Sequence, residues 1–248
     1  METDISQLLE EWPHDPDNNI RRVEDADGNE LIQVRVEDGP FRGILQMNIE
    51  GRPDGTRPHG CDYVLDFFEA KKLRAQQPFQ LTHNDCKELF DESRRVYERY
   101  VFLLQLADYP RVIEDTNRNM RLFRFVHEHA GGEDDRINLQ RWWPYVLRIN
   151  GTARSLLAAQ SGDRDHALSI VAAVRREIDE LNEIDTEEFH AERTRSLEAL
   201  NNLEKSLIDQ QEATPRQSLQ KDLAAALAKE AYELAAELRD RIQALEME

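Results

Sequence analysis

The residues with the clearest potential for chemistry lie in a glycine- and proline-rich stretch, residues 51–60. This stretch contains Arg52, Arg57 and His59, and guanidinium groups bind phosphates and carboxylates through paired, charge-assisted hydrogen bonds. The three side chains are therefore a candidate anion-binding site. The alternative, which the abundance of acidic residues favours, is that the arginines pair with carboxylates of this chain and fasten the loop.

Two histidines and two cysteines could offer ligands to zinc, as His59-x-Cys61 and His83-x2-Cys86. Tetrahedral zinc sites normally pair ligands of one type across a tight turn, whereas this arrangement mixes the two types. Cys86 also lies on the apolar side of a predicted helix, where a cysteine commonly serves as a small buried hydrophobic residue. The pattern therefore predicts no metal site.

The common catalytic patterns are missing from the sequence. It contains no glycine-rich phosphate loop followed by Lys-Ser or Lys-Thr, no nucleophile elbow and no metalloprotease helix. The 50 acidic residues are so numerous that no particular pair stands out as catalytic. We therefore expect a protein that is not an enzyme, with no catalytic residue and no cofactor.

Charge and composition narrow the classes of function further. The 32 basic and 50 acidic residues give a net charge of −18, which repels phosphate backbones and disfavours direct nucleic-acid binding. The two cysteines fit a reducing compartment. The acidic start, Met1 to Asp4, has no apolar run, and no window approaches the roughly 20 apolar residues that a membrane-spanning helix needs. We expect a cytoplasmic protein without a membrane partner.

The elements that position these residues follow an α+β pattern. Alternating apolar residues and turn signals predict a three-stranded antiparallel meander over residues 20–50, which later helices must cover. A short amphipathic helix is expected over residues 63–75, with Leu65, Phe68 and Leu73 on its apolar side. The expected architecture is a small N-terminal β-meander packed on a mainly helical body of helical hairpins, followed by a C-terminal two-helix hairpin. The corresponding domains are residues 1–80, 81–213 and 214–248.

Helical periodicity begins at Thr82, which is a suitable N-cap. An acidic run, residues 133–135, is expected to be a loop, and Asp185 is expected to cap the last helix of the body. Five helices are predicted in the body, over residues 82–107, 109–130, 144–161, 165–181 and 186–213.

Small residues at two of these predicted helices suggest a close contact between them. Ala153, Leu157, Gly162 and Ala167 have a spacing that resembles a tetratricopeptide-like helix pair. The expected 34-residue period of that repeat is missing, so the body is interpreted as an array of helical hairpins. Ordinary antiparallel helix packing remains an equal alternative.

The most specific pattern lies at the C-terminus, residues 214–248. Thr214 and Pro215 predict a helix start, and Leu219, Leu223 and Leu227 stand four residues apart on one face of that helix. After a short turn near Lys229 a second helix is expected, with the sequence Tyr232-Glu233-x-Ala235-Ala236-x-Leu238-Arg239-Asp240-x-Ile242-x2-Leu245.

This pattern resembles the UVR motif of the nucleotide-excision-repair proteins UvrB and UvrC, and the chain is similar to bacterial proteins that carry a UvrB/UvrC motif. In the repair proteins the motif pairs with the hairpin of a second molecule. The resemblance implies a partner-binding surface, which we assign to Leu219, Leu223, Leu227, Tyr232, Ala235, Ala236, Leu238, Arg239, Asp240, Ile242 and Leu245. The alternative is that the hairpin packs on this chain's own helix, residues 186–213.

The sequence thus predicts an adaptor or scaffold that docks on another protein through the C-terminal hairpin. The partner would be another UVR-type hairpin or a second copy of the chain. The second hypothesis is a DNA-repair accessory that contacts nucleic acid through the loop from Arg52 to His59. A third is an enzyme or sensor that binds an anion at the same loop.

Overall fold

The structure is a computed structural model that describes residues 4–212, 215–229 and 231–245. The first helix, α1, covers Ser6–Glu11 and ends before Pro13. Three strands follow and form one antiparallel sheet in the order β1-β2-β3. This arrangement confirms the predicted meander, and the strands are β1 (Ile20–Glu24), β2 (Glu30–Asp38) and β3 (Phe41–Asn48).

The body is built from helices, as predicted for an α+β chain. Thr82 caps α3 in a reciprocal capping box with Asp85, in which each side chain accepts a hydrogen bond from the other residue's backbone N–H. The helices of the body are α2 (Val64–Arg74), α3 (His83–Gln105), α4 (Tyr109–His129), α5 (Glu133–Gln140), α6 (Trp143–Gln160), α7 (Arg164–Asp179) and α8 (Glu187–Glu212).

Two predictions about helix starts were wrong. The acidic run at residues 133–135 begins α5 and is not a loop, because carboxylates are favourable in the first turn of a helix, near the positive end of its dipole. At the start of α8 the cap is Thr186, whose Oγ1 accepts a hydrogen bond of 3.3 Å from the Phe189 backbone N–H. The predicted cap, Asp185, lies one residue earlier.

The apolar side of α2 also differs from the prediction. Leu65 and Phe68 are buried as expected, but Leu73 is 86% exposed. The helix packs through its N-terminal half, while its last turn carries Lys71, Lys72 and Arg74 and stays in solvent. Leu73 has the spacing of a buried residue but is exposed, because the C-terminal end of α2 packs against no other described element.

The sheet and the body share a core. Ile32 and Val34 of β2 face the helices and contact a cluster formed by Val96, Tyr100, Leu103, Val112, Ile149 and Ala153. A second cluster lies among α2, α3, α4, α6, α7 and α8, with Phe68, Leu89, Leu122, Ile178 and Leu200 at its centre. The predicted covering of one sheet face by helices is confirmed.

A buried polar cluster joins the sheet to the body. Arg99 of α3 forms two hydrogen bonds with the carboxylate of Asp115, of 2.6 and 2.8 Å, and it donates to the carbonyl oxygen of Gly51 at 2.6 Å. Tyr63 donates to the same oxygen at 2.6 Å and accepts from Arg99 at 3.2 Å. Burial acts to lower the pKa of Arg99, but the contacts with Asp115 hold it above its usual value. We call these four residues the Arg99 cluster.

Glu92 links α2 to α3. Its carboxylate is fully buried and accepts hydrogen bonds from the backbone N–H groups of Val64 and Leu65, at 2.5 and 3.1 Å. These N–H groups belong to the first turn of α2, where they have no partner within the helix. Burial raises the pKa of Glu92, against the two backbone hydrogen bonds. A side chain of one helix thus caps another.

Helices α6 and α7 approach each other closely. A Cβ atom built on Gly151 would lie 2.7 Å from Cγ2 of Val174, and Ser155 donates a 3.0 Å hydrogen bond to the carbonyl oxygen of Ala167. Ala153 and Ala167 are fully buried. The contact expected from the small residues is present, whereas the likeness to the tetratricopeptide repeat stays a prediction.

Candidate functional site

The C-terminal residues form two helices, α9 (Pro215–Ala228) and α10 (Tyr232–Leu245). Hydrogen bonds of 2.9 Å from the Ala231 N–H to the Ala226 carbonyl oxygen and from the Ala235 N–H to the Ala231 oxygen fix the connection between them. Their inner faces form a small apolar cluster of Leu219, Leu223, Ala226, Ala231, Ala235 and Leu238. We call α9 and α10 the hairpin.

The predicted partner-binding residues divide into an inner and an outer set. Ala235, Leu238 and Ile242 are buried, and Leu219 and Leu223 are half-buried. Most of these side chains hold the two helices together. The outer, exposed set consists of Leu227, Tyr232, Ala236, Arg239 and Asp240. Leu245 is the last residue of α10, and the predicted cap Thr214 lies outside the described residues.

Three large apolar side chains are exposed at one end of the hairpin. Leu227 is 52% exposed, Tyr232 66% and Leu234 50%, and all three flank the connection between α9 and α10. Single exposed apolar residues are ordinary, and Tyr232 and Leu234, two residues apart, lie on different sides of α10. Together the three side chains leave apolar area in water around the turn, as interaction surfaces commonly do. We call Leu227, Tyr232 and Leu234 the turn surface. Leu234 escaped the sequence analysis because it occupies a variable position of the UVR pattern.

The hairpin also differs in charge from the rest of the chain. Residues 215–245 contain five basic residues, Arg216, Lys221, Lys229, Arg239 and Arg241, and five acidic ones, Asp222, Glu230, Glu233, Glu237 and Asp240. Their net charge is therefore 5 − 5 = 0, so the remaining residues carry the whole charge of −18. The hairpin is a neutral element of a strongly acidic chain.

In the loop from Arg52 to His59, the two arginines and the histidine each contact a carboxylate. Arg52 contacts Asp54 at 3.0 Å and Glu92 at 3.9 Å. Arg57 contacts Asp62 at 3.0 Å. Nε2 of His59 lies 2.8 Å from Glu88, and its ring stacks on Phe67. These contacts support the interpretation that the arginines fasten the loop. Anion binding there stays a prediction.

The histidines and cysteines considered for zinc have other partners. His83 contacts Asp135 at 3.0 Å, and Cys86 is buried in the core, where burial and then the nearby carboxylate of Asp135 raise the pKa of its thiol to about 11. Within residues 4–212, 215–229 and 231–245, no three His, Cys, Asp or Glu side chains are grouped to hold a metal ion. In the same ranges no helix has the length and apolar character to cross a membrane.

The body contains a cavity of about 410 Å³ that the sequence analysis did not predict. Side chains from α3, α4, α5, α6 and α8 line it, together with Trp142 between α5 and α6. Trp143 is buried, whereas Trp142 is 40% exposed at the cavity. Because the lining residues are scattered from position 90 to 192, only the folded chain brings them together.

Comparison with known proteins assigns the chain to no family. No family model matches the chain, and no curated protein or solved structure is significantly similar to it. The function must therefore be argued from the side chains described above.

Proposed function

We propose that this protein is a cytoplasmic adaptor or scaffold that docks through the hairpin onto a second UVR-type hairpin. The observation that carries the proposal is the turn surface, which exposes two leucines and a tyrosine on a unit whose own core is small. The resemblance to the UVR motif supports the same choice of partner.

The size of the hairpin favours an external partner. Helices this short gain most of their stability from packing. The cluster between α9 and α10 has Ala226, Ala235 and Leu238 as its buried members, and alanines bury little apolar area. Leucine and tyrosine at the turn surface offer additional area, and the tyrosine hydroxyl can stay hydrated at the rim of an interface. Pairing with a second hairpin would remove this surface from water.

Charge favours a second hairpin as the occupant. Two copies of the body repel each other, because the whole charge of −18 belongs to residues outside the hairpin. The neutral hairpin can approach another neutral hairpin without that cost, and its alternating charges can pair across the interface. Arg239 and Asp240 are exposed and adjacent, so they are suited to such pairing.

No exposed side chain or charge of the described residues gives comparable support to the other two hypotheses. A DNA-repair accessory or an anion-binding enzyme would use Arg52, Arg57 and His59, and each of these side chains already contacts a carboxylate of this chain. We therefore develop the adaptor hypothesis alone.

Sedimentation equilibrium of the full chain over a range of concentrations tests the proposal. The wild type is expected to self-associate, and the double variant Leu227→Ser/Leu234→Ser is expected to remain monomeric, because it removes apolar area from the turn surface alone. The matched control is Leu73→Ser/Leu45→Ser, which changes two leucines that are 86% and 60% exposed outside the hairpin.

The control is expected to associate like the wild type. A wild type that stays monomeric at every concentration would contradict pairing with a second copy. Equal association of the two double variants would show that a different surface mediates the contact.

A further inference from the structure

The cavity in the body has an aromatic lining. Six of its residues carry aromatic rings that come from four separate segments of the chain. Two of them, Tyr97 and Trp142, are 39% and 40% exposed, so the cavity opens to solvent between them. Its volume of about 410 Å³ lies within the range of sites for small molecules. The six residues are Phe90, Tyr97, Tyr100, Phe123, Trp142 and Tyr145.

The oxygen of a buried amide in the same lining lacks a hydrogen-bond donor. Asn119 of α4 is 1% exposed, and its Nδ2 donates a 3.0 Å hydrogen bond to the Ser93 carbonyl oxygen. That bond fixes the orientation of the amide. Its Oδ1 is buried and accepts no well-aligned hydrogen bond from any described residue. The amide does lie near the Tyr100 hydroxyl: burial raises the pKa of Tyr100, and the contact with Asn119 acts in the opposite direction. An unpaired buried acceptor is costly, so a ligand that donates a hydrogen bond there would be favoured.

The cavity also contains a buried carboxylate. Glu192 of α8 is 8% exposed and contacts Arg195 at 2.7 Å. The Arg195 side chain is 69% exposed, so water competes for its charge and it neutralises the carboxylate incompletely. Burial is the largest cause that raises the pKa of Tyr145, Tyr97 adds to it, and Glu192 is a minor further cause. This influence places the carboxylate near the aromatic rings.

The lining contains one cation, Arg94, and a second, Arg148, lies beside this lining. Arg148 is 4.8 Å from the centroid of the Tyr145 ring, so one face of that ring is already covered. Arg94 is 72% exposed and lies 3.7 Å from Glu98, on the solvent side of α3. The buried polar groups, Asn119 Oδ1 and the Glu192 carboxylate, both accept hydrogen bonds and both favour positive charge. The faces of tyrosine and tryptophan rings attract cations as well. Aromatic faces, a free acceptor and a carboxylate together suit an ammonium group.

We propose that this cavity is a binding site for a small molecule that joins an apolar, aromatic-sized group to a primary ammonium. The ammonium donates to Asn119 Oδ1 and to Glu192, while the apolar group lies against the rings. A primary ammonium has three N–H donors and no acceptor, which matches the two acceptors. This site is separate from the hairpin and does not depend on the adaptor hypothesis.

Isothermal titration calorimetry of the full chain with three related probes tests separately whether binding needs the positive charge of the ligand and whether it needs its N–H donors. The probes are 2-phenylethylamine, its trimethylammonium analogue and 3-phenylpropionate. We expect saturable binding of the amine and no measurable binding of the carboxylate. The trimethylammonium analogue keeps the charge but has no N–H, so it loses both hydrogen bonds, and we expect it to bind at least about a hundredfold more weakly.

Two conservative variants locate the site. Glu192→Gln removes the charge with little change of shape, and it is expected to weaken binding of the amine about tenfold. The matched control is Glu188→Gln on the same helix, where the carboxylate contacts Arg141 at the surface and amine affinity should not change. Thermal melting of both variants checks that the fold is kept.

Four results would overturn the proposal, and the first three concern binding of the amine itself. They are the absence of amine binding to the wild type, equal binding of amine and carboxylate, and unchanged amine affinity in Glu192→Gln. If the trimethylammonium analogue bound as tightly as the amine, hydrogen bonding to Asn119 would be excluded and the primary ammonium with it.

Discussion

The contact between the sheet and the body and the contact within the hairpin are built from different kinds of side chain. The first contains the Arg99 cluster, in which charged and polar groups far apart in sequence are fully paired. The second is an apolar cluster whose buried members are two alanines and a leucine. Buried polar groups tolerate few alternative arrangements, because an unpaired partner is costly, whereas small apolar contacts are weaker and less specific.

This difference suggests a division of roles. A region fixed by paired polar groups can hold a cavity in a constant shape, and the body has such a cavity. A region held by a few small side chains gains stability by meeting another surface, and the hairpin exposes one at its turn. We therefore expect substitutions in the body to act on stability and substitutions in the hairpin to act on association.

The largest expected effect comes from breaking the Arg99 cluster. Arg99→Met leaves the carboxylate of Asp115 buried without its partner, and we expect the free energy of unfolding of the body to fall by about 3–5 kcal/mol. Chemical denaturation followed by circular dichroism measures this change. The double variant Arg99→Met/Asp115→Leu serves as the control and should recover much of the loss, because no unpaired charge remains. A loss below about 1 kcal/mol in the single variant would contradict the importance of the cluster.

A smaller effect is expected at the contact between α6 and α7. Gly151→Ala places a Cβ atom 2.7 Å from Val174, which is closer than packing allows, and we expect destabilisation of about 1–3 kcal/mol. Gly43→Ala is the control, since a Cβ there meets nothing within 4 Å. The same denaturation experiment compares the two variants. Equal stability would mean that α7 moves away at little cost and that the body is less closely packed than described.

The smallest effect on the body is expected from Leu223→Glu in α9. A carboxylate at this half-buried position of the hairpin cluster should separate the two helices and abolish self-association. The body should keep its unfolding free energy to within about 0.5 kcal/mol, as for substitutions away from its core. Sedimentation and denaturation are measured on this variant and on a chain that ends at residue 212. A large loss of body stability, with association intact, would mean that the hairpin packs on the body.

The elements of this fold could be predicted from the sequence where one signal dominates. Alternation and turn residues predicted the strands, and Thr82 as an N-cap predicted the start of α3. The acidic start of α5 was interpreted as a loop, because charge runs are common both in loops and in the first turns of helices. Leu73 was placed on a buried face, because spacing alone does not show where a helix leaves the core.

The buried polar residues of the body were harder to predict, for a physical reason. Hydrophobic periodicity counts apolar residues, so it overlooked Glu92, Arg99 and Asn119, which are polar and buried. Their burial depends on partners such as Asp115 and the Ser93 carbonyl oxygen, which only the tertiary structure brings near. The hairpin differs in this respect, since its two helices are adjacent in sequence and the spacing of their apolar residues predicts them without partners from elsewhere in the chain.

The capping of α2 by Glu92 has a consequence for the order in which the protein is made. The acceptor for the Val64 and Leu65 N–H groups lies 28 and 27 residues later in the chain. During synthesis α2 leaves the ribosome before its cap exists, and a lone helix of 11 residues is barely stable in water. We therefore expect this segment to become helical only after the first turns of α3 have emerged, so that translation itself delays the formation of α2.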